Sequence, residues 1–421
     1  MIKKIALLFL FLYNLGFAQY NLDYFVNKAI NNSPNIKNYS NLFLINNLQK
    51  KLDEAQNSAF QVYITGDYLF APYFNNNGHL ISTNPDPKAI GYDVGITNGG
   101  LYSTLINVDK NIFNGPLLDA LNNQRSIQGK SYENQLNTEK HNLAKTVTDQ
   151  YLNTLQNLEL YNLSKEIEGN LENQLKLTSE LVEKGIAKVH DYLLLKVETR
   201  SQQINLNQTW QDYKNGLFQL YSICGIRDTQ TIIIDSVNLV LTMPPDSSKF
   251  LVQYYLDSLN TAAQQNVFET KYQPQIKLFF NTGLNAVEVD NIQRRFGLSA
   301  GISLSVPILD GGQKDITRQQ SIIAEKISGD FKNYAAKNIF TQRRDSENRI
   351  KSLKKNLEDY KSQVDDYEKL LNLSLEQLGQ GNLSMVEYLT ELRNYIDIQK
   401  SYITNEINYQ LEISKYNYWN W

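Results

Sequence analysis

The chain has 421 residues, with 41 Lys and Arg against 44 Asp and Glu, a formal net charge of −3 at pH 7 and an isoelectric point of about 5.8. This balance leaves no basic surplus to neutralise phosphates, so nucleic acid is excluded as a partner. Mean hydropathy is −0.43 and no apolar run beyond the N-terminus reaches the ~20 residues of a spanning helix, which excludes a helical membrane protein.

The N-terminus has the pattern of a secretory signal peptide. Lys3 and Lys4 precede an apolar run from residue 5 to residue 15, and residues 16–18, Gly-Phe-Ala, match a small-x-small cleavage site. We therefore predict that residues 1–18 are a signal peptide and that the mature protein is exported. A membrane anchor is the alternative, which the shortness of the run and the lack of a stop-transfer pattern disfavour.

Four stretches of alternating apolar and polar residues predict four β-strands. They form two β-hairpins, at about residues 60–113 and about residues 275–308, and in each strand the even-numbered positions are mostly apolar. Each stretch has the length of a tilted strand that crosses a membrane. Two soluble hairpins covering a core are the alternative. The first hairpin has the longer, turn-rich loop, which suits the extracellular side of a barrel.

A long helix is predicted after each hairpin. Proline is absent between Pro116 and Pro244 and again after Pro307, and Asn114 and Asp310 are the expected N-caps. Apolar residues recur there at spacings of three and four, as in a coiled coil. About 70 residues of helix correspond to roughly 105 Å at 1.5 Å per residue, which is too long for a globular core.

Each long helix ends at a glycine that begins a nine-residue signature, at residues 185–193 and 381–389. A left-handed glycine there ends one helix and allows an antiparallel one to begin, so a hairpin tip is predicted near each glycine. The two signatures are 196 positions apart, as are the strand-end motifs at 112–115 and 308–311. The chain is therefore one unit copied twice.

The duplication divides the mature chain into three parts. The first structural repeat covers residues 19–225 and the second covers residues 271–421, with a linker at 226–270. Within the linker, Thr231-Ile-Ile-Ile-Asp235 is predicted to be a short strand. Cys224 is the only cysteine, so an intrachain disulfide and a cysteine-rich metal site are both excluded.

Four strands do not close a barrel, and the open edge of a sheet is not tolerated in hydrocarbon. If these strands lie in a membrane, several copies of the chain must therefore assemble. Three copies supply twelve strands and twelve helical segments around one axis, enough for a tube with an interior. Polar odd-numbered positions are then expected to face the lumen, and apolar even-numbered positions the lipid.

With these features the chain resembles the TolC family of outer-membrane efflux and secretion channels, over essentially the whole mature sequence. The resemblance is carried by the opening segment at residues 21–36, Pro274 before a strand, Val-Pro-Ile-Leu-Asp-Gly-Gly at 306–312, and the two glycine tips. It implies a mixed α+β membrane protein. It further implies a homotrimer with a twelve-stranded outer-membrane β-barrel, four strands per chain, continuous with a long periplasmic α-helical coiled-coil barrel. The linker resembles the family's equatorial segment.

The resemblance also implies a function, as the outer-membrane exit duct of a tripartite efflux or type I secretion system. In that role the helical tips gate the pore and meet the periplasmic adaptor protein of an inner-membrane pump. By position, the adaptor-facing residues are Gly185, Ile186, Ala187, Val189, Gly381, Leu383 and Met385.

The family's acidic gate position falls on Asp191 and Glu387. The alternative is that each acid only complements the dipole of the helix that it begins. The family's second acid is replaced by Thr390, with Glu391 adjacent, and Leu383 and Leu378 stand in place of the family's arginine and tyrosine latch.

Nothing in the sequence favours an enzyme, and no cofactor or metal is expected. His79, His141 and His190 are isolated, without metal-ligand spacing or a nucleophile partner, and no glycine loop for phosphate binding is present. Two alternatives to an exit duct stay open: a periplasmic adaptor protein, and an outer-membrane solute channel that works without a pump. The sequence specifies neither the cargo nor the class of pump.

Overall fold

The computed structural model describes residues 20–69, 73–76, 79–82, 102–286 and 289–421; side chains are described for residues 20–69, 102–286 and 292–421. The predicted signal peptide, residues 1–18, and most of the long loop of the first hairpin lie outside the described residues.

Two very long helices dominate the described chain. The helices, in chain order, are α1 (Leu22–Asn32), α2 (Pro34–Ser58), α3 (Gly115–Glu183), α4 (Val189–Cys224), α5 (Val252–Glu269), α6 (Gln313–Gly379) and α7 (Met385–Trp419). Helices α3 and α6 contain 69 and 67 residues, so the two long helices predicted from the sequence are confirmed. None of the described helices is both long enough and apolar enough to cross a membrane.

The described strands form two antiparallel sheets. They are β1 (Gln61–Tyr68), β2 (Tyr73–Asn76), β3 (His79–Ser82), β4 (Tyr102–Asn111), β5 (Gln275–Ala286) and β6 (Phe296–Ser305). The larger sheet has the order β1-β4-β5-β6, so the two predicted hairpins join through β4 and β5, and β1 and β6 are its edges. Strands β2 and β3 pair with each other and were not predicted from the sequence.

The register of the larger sheet places the apolar even-numbered residues on one face. Val62 lies opposite Val108, Val108 opposite Phe280, and Phe280 opposite Ala300. Even-numbered residues pair with even-numbered residues between all neighbouring strands of this sheet. Because side chains alternate across a strand, this register produces one continuous apolar surface. Its side chains are largely exposed in the single chain; Leu298, for example, is 74% exposed.

The opposite face of the same sheet is mainly polar. The Asp109 Oδ2 atom accepts a hydrogen bond from the Tyr63 hydroxyl at 2.6 Å and lies 2.6 Å from the Lys277 Nζ atom. Next to this group, Asn107 Nδ2 donates to Thr65 Oγ1 at 2.9 Å. The alternation in the sequence thus corresponds to one apolar and one mainly polar face.

The chain folds into two compact units. The first unit takes its described residues from the N-terminus to Ser40, from Asn134–Val252 and from Lys332–Trp421; the second consists of Asn41–Glu133 and Gln253–Phe331 and contains the four-stranded sheet. Each unit takes segments from both halves of the chain.

Buried tyrosines organise the core of the first unit around the linker. The Tyr213 hydroxyl donates to the Ile232 carbonyl at 2.6 Å and accepts from the Ile234 N–H at 3.2 Å. The Tyr151 hydroxyl donates to the Asp235 carbonyl at 2.6 Å. Residues 231–235 are not a strand, and that prediction is wrong, because side-chain hydroxyls rather than a neighbouring strand take up these backbone groups.

Candidate functional site at the helical tips

The two helical hairpins turn through the same backbone arrangement. Gly185 follows α3 with φ of 69°, and Gly381 follows α6 with φ of 75°. At the first tip, Ile186 N–H donates to the Leu181 carbonyl at 2.8 Å and Gly185 N–H to the Val182 carbonyl at 2.9 Å. The second tip repeats both bonds, at 2.9 and 3.1 Å. This is a Schellman motif, which places a left-handed residue, usually glycine, after the helix.

Glu387 takes part in a capping box at the start of α7. Its N–H donates to Ser384 Oγ at 3.2 Å, and its Oε2 atom accepts from Ser384 N–H at 3.0 Å. The Glu387 carboxylate accepts hydrogen bonds from the Ser384 backbone N–H and from the Ser384 hydroxyl. These bonds, the backbone one most, hold the pKa of Glu387 below its ordinary value. The Glu387 side chain is exposed, and its carboxylate caps the start of α7.

Asp191 has a different environment at the start of α4. The N-cap residue there is Lys188, whose side chain makes no capping bond, so this tip has no capping box. The Asp191 Oδ1 atom lies 3.6 Å from His190 Nδ1, and the His190 side chain is exposed. The two tips therefore share a backbone turn but differ in the bonds of their first-turn acids.

The two other residues predicted at the gate are bonded within the second hairpin. Thr390 Oγ1 donates to the Val386 carbonyl of its own helix at 2.8 Å. The Glu391 carboxylate accepts a hydrogen bond from Ser374 Oγ, which ties α7 to α6. Ser374 is buried, so the contact lies inside the hairpin.

The residues predicted to face an adaptor fall into two groups. Gly185, Ile186, Val189 and Gly381 are exposed, whereas Ala187 and Leu383 are partly buried. Met385 is only 6% exposed and belongs to an apolar core, so its place on the exposed surface must be corrected. It is buried because the first turn of α7 packs back on the neighbouring helices.

That apolar core, here called the tip cluster, joins three helices. Its buried members are Leu163, Ile167 and Leu171 of α3, Leu195 of α4, and Met385, Tyr388, Leu389, Leu392 and Ile396 of α7. Leu378 and Leu383 pack against it. The residues that occupy the family's latch positions therefore contribute apolar packing in this chain.

Two polar contacts brace the tip cluster, and sequence reasoning missed both. Arg393 of α7 binds Glu198 of α4 through Nε at 3.1 Å and Nη2 at 2.5 Å, and this contact raises the pKa of Arg393. Gln174 Nε2 donates to the Tyr388 hydroxyl at 2.7 Å. The partners are 195 and 214 residues apart, so no local pattern indicates them.

The histidines lie in unrelated surroundings. His141 is stacked between Tyr418 and Trp421, with ring centroids 4.9 and 4.3 Å away, and burial lowers its pKa. The His79 side chain lies outside the described residues. Among the described residues, no group of three or more His, Cys, Asp or Glu side chains is arranged to hold a metal ion.

The chain is similar in fold to solved structures of outer-membrane proteins and channels. The crystal structure of the outer membrane protein VceC from Vibrio cholerae aligns with 95% of this chain and 96% of its own, with a TM-score of 0.69 and 11% identity. CusC, described in terms of transmembrane channel formation, aligns over 96% and 92%, with a TM-score of 0.71 and 13% identity. The Campylobacter jejuni CmeC outer membrane channel aligns over 95% and 85%, with a TM-score of 0.70 and 14% identity.

No protein-family model matches the sequence, and neither does any curated protein. At 11 to 14% identity, the structural likeness establishes the fold. The resemblance to the TolC family and the predicted α+β fold of the single chain are confirmed at that level.

Proposed function

We propose that this chain is the outer-membrane exit duct of a tripartite efflux or type I secretion system. Three copies join their four-stranded sheets into a twelve-stranded barrel in the outer membrane, and their helical hairpins form a periplasmic tube. Transport is passive and non-enzymatic, with energy supplied by an inner-membrane pump that is reached through a periplasmic adaptor. The outer-membrane channels with this fold support the proposal.

One observation carries the proposal: within the described residues, the four-stranded sheet is apolar on one face and mainly polar on the other, and no further strand pairs with either of its edges. The edges are β1 and β6. In hydrocarbon every backbone N–H and C=O needs a partner, so β1 of one copy must pair with β6 of another until the sheet closes. The exposed apolar face then meets lipid, and the face with Asp109 and Lys277 lines the interior.

A periplasmic adaptor is the less favoured alternative. Such a protein has one long helical hairpin with compact β domains, whereas this chain pairs two long hairpins with a sheet drawn from both halves. A solute channel that works without a pump stays as a second alternative, and genetic evidence separates it from a pump-linked duct.

A matched pair of variants in β6 tests the barrel. Leu298 and Ser299 are neighbours on opposite faces of the sheet. A lysine facing lipid costs about 2–4 kcal/mol at the bilayer midplane and less towards the interfaces, so Leu298→Lys is expected to reduce the yield of assembled trimer. Ser299→Lys is expected to assemble and to change the conductance in planar bilayers.

Two outcomes contradict the barrel. One is a purified mature chain that is a water-soluble monomer without affinity for bilayers. The other is a Leu298→Lys variant that assembles as well as the Ser299→Lys variant.

We place the gate and the adaptor contact at the tips. Glu387 and Asp191 form the acidic ring at the entrance, with Thr390 and Glu391 beside it, and the exposed residues near Gly185 and Gly381 meet the adaptor. A ring of acids at a threefold entrance attracts cations. Glu387→Gln is therefore expected to lower cation selectivity in single-channel recordings, and unaltered selectivity removes Glu387 from the gate.

Replacing Gly381 tests the adaptor contact separately. Gly381→Glu places a charged side chain on the exposed tip, and we expect a loss of adaptor co-purification from a trimer that stays intact. Normal co-purification refutes the contact. Deletion of the gene is expected to reduce efflux or secretion, and unchanged transport favours a solute channel without a pump.

A further inference from the structure

Lys110 is the one charged residue at the even-numbered positions of β1, β4, β5 and β6, which form the apolar face of the larger sheet. The other charged residues of these strands, Asp67, Asp109 and Lys277, occupy odd-numbered positions and so lie on the mainly polar face. A charge that faces lipid costs free energy, and the cost falls towards the interfaces. Lys110 is therefore expected to lie near an interface and to have an anionic partner there.

The Lys110 ammonium group lies over an aromatic ring rather than beside a carboxylate. Its Nζ atom is 4.5 Å from the centroid of the Phe60 ring, just before β1. In the part of the chain that the structure describes, Lys110 forms no ion pair, whereas Lys277 Nζ lies 2.6 Å from Asp109 Oδ2 on the opposite face. A ring face attracts a cation without neutralising it. The charge of Lys110 is thus available to an anion from outside the chain.

An apolar groove adjoins Lys110 on the same face of the sheet. The groove has a volume of about 440 Å³, and besides Lys110 its walls include Phe60, Val108, Leu278, Phe280 and Ile302. This volume is in the roughly 300–1,000 Å³ range of small-molecule sites. Hydrocarbon and aromatic side chains line the groove apart from the one ammonium group, so it suits a hydrocarbon chain that ends in a negative charge.

A small residue on β6 makes room for such a chain. Phe280 lies opposite Ala300 in one row of this face, and Leu278 lies opposite Ile302 in the next. Along β6, Ala300 stands between Leu298 and Ile302, whose side chains are 74% and 67% exposed. Because side chains on one face are two residues apart, the methyl group of Ala300 leaves a gap between two large neighbours. Ala300 is part of the wall of the groove.

Lys110 also lies at a suitable depth for a phospholipid headgroup. It is near the end of β4, shortly before α3 begins, so it belongs to the end of the sheet nearest the helices. One more apolar row follows, in which Ile112 N–H donates to the Ile276 carbonyl at 3.0 Å. Two residues of strand rise about 6.6 Å, or roughly 5 Å along the bilayer normal at a tilt near 40°. A lysine side chain covers that distance by snorkelling, which brings its ammonium group to the headgroups.

We propose that this groove binds an anionic glycerophospholipid from the leaflet nearest the helices. Its phosphate contacts Lys110, and one acyl chain lies against Ala300. The unpaired ammonium group selects a negative headgroup, and the apolar walls select the chain. Each copy of the chain carries the whole groove, so each copy binds one lipid. The proposal rests on the barrel of the proposed function, which places this face of the sheet in lipid.

Native mass spectrometry of the purified trimer measures the binding. With phosphatidylglycerol and phosphatidylcholine of identical acyl chains, we expect one phosphatidylglycerol per chain in preference to phosphatidylcholine. Lys110→Gln is expected to reduce this preference roughly fivefold, the contribution of one lysine near anionic lipid. If Lys110→Gln does not assemble, Lys110→Met makes the same test with a side chain that lipid tolerates. Inorganic phosphate is expected not to compete, because it has no chain to fill the groove.

Two further variants separate the groove from a general attraction of charge. Ala300→Leu fills the gap on β6 and is expected to reduce the binding of both lipids. Lys271 also lies on an aromatic ring, 4.8 Å from the Phe268 centroid, but it precedes β5 and is not in the wall of the groove. Lys271→Gln is therefore expected to bind both lipids as the native chain does.

The outcomes separate this proposal from the exit duct. A trimer that binds both lipids equally, or a charge-free Lys110 variant that keeps the native preference, overturns the lipid site and leaves the exit duct standing. Undiminished binding by Ala300→Leu, displacement by inorganic phosphate, or an equal loss in Lys271→Gln does the same. A chain that forms no trimer overturns the proposed function itself.

Discussion

The ion pair between Arg393 and Glu198 is expected to be the strongest polar link between α4 and α7 near the tips. The Glu198 side chain is only 5% exposed, and besides Arg393 it accepts one bond from Gln202 Nε2, at 3.2 Å. Arg393→Met removes the charge and leaves a buried carboxylate with one neutral donor. Loss of one partner of a fully buried pair costs about 3–5 kcal/mol.

That value must be reduced here, because the Arg393 side chain is 62% exposed and water screens the pair. We expect about 2 kcal/mol of local destabilisation, which corresponds to a roughly 30-fold larger population of the locally open state. Hydrogen–deuterium exchange of the detergent-solubilised protein measures this as faster exchange of the amides of α4 and α7 around the pair.

Two further variants identify the cause. Glu198→Gln in the Arg393→Met background removes the buried charge and is expected to restore most of the protection. Arg349→Met breaks an exposed pair with Asp345, at 3.0 Å, and is expected to change exchange by less than about 0.5 kcal/mol. Unchanged exchange in Arg393→Met, or no recovery in the double variant, refutes the reasoning.

Three other predictions concern separate parts of the chain. Gly283 has φ of 152°, and a Cβ there would lie 2.2 Å from the Thr104 carbonyl oxygen, so Gly283→Ala is expected to reduce the yield of assembled trimer in membranes. Gly297 lies directly opposite, where a Cβ would meet open space, so Gly297→Ala is expected to assemble normally. Equal yields of the two variants contradict this account. Burial raises the pKa of the Cys224 thiol to about 12, so iodoacetamide at pH 8 is expected to label this thiol only in denatured protein. Labelling of Cys224 in the native protein shows instead that the core around it opens. The pKa of Glu387 is lowered by the capping bonds, so its contribution to the start of α7 is present at neutral pH and is lost as the pH falls through the lowered value. Exchange protection of the first turn of α7 is expected to decline in acid in the native chain and not in Glu387→Gln; identical profiles exclude the cap as the cause.

Local patterns in the chain were enough to predict the elements. Alternation indicated the four strands of the larger sheet, and the proline-free periodic stretches indicated α3 and α6 close to their observed bounds. The glycines at 185 and 381 stand where those helices end, because a Schellman turn needs a left-handed residue that glycine adopts without strain. All of these signals act over a few residues, so they can be read without a partner strand or helix.

The contacts between distant segments were decided only by the folded chain. The joining of the two hairpins through β4 and β5, the pairing of Arg393 with Glu198, and the burial of Met385 depend on which surfaces meet across about 200 residues. Side-chain hydroxyls also took the backbone groups of residues 231–235, where the apolar run had indicated a strand. Periodicity shows that a residue has an apolar or a polar side, but only packing determines what lies against that side, since many partners satisfy the same pattern.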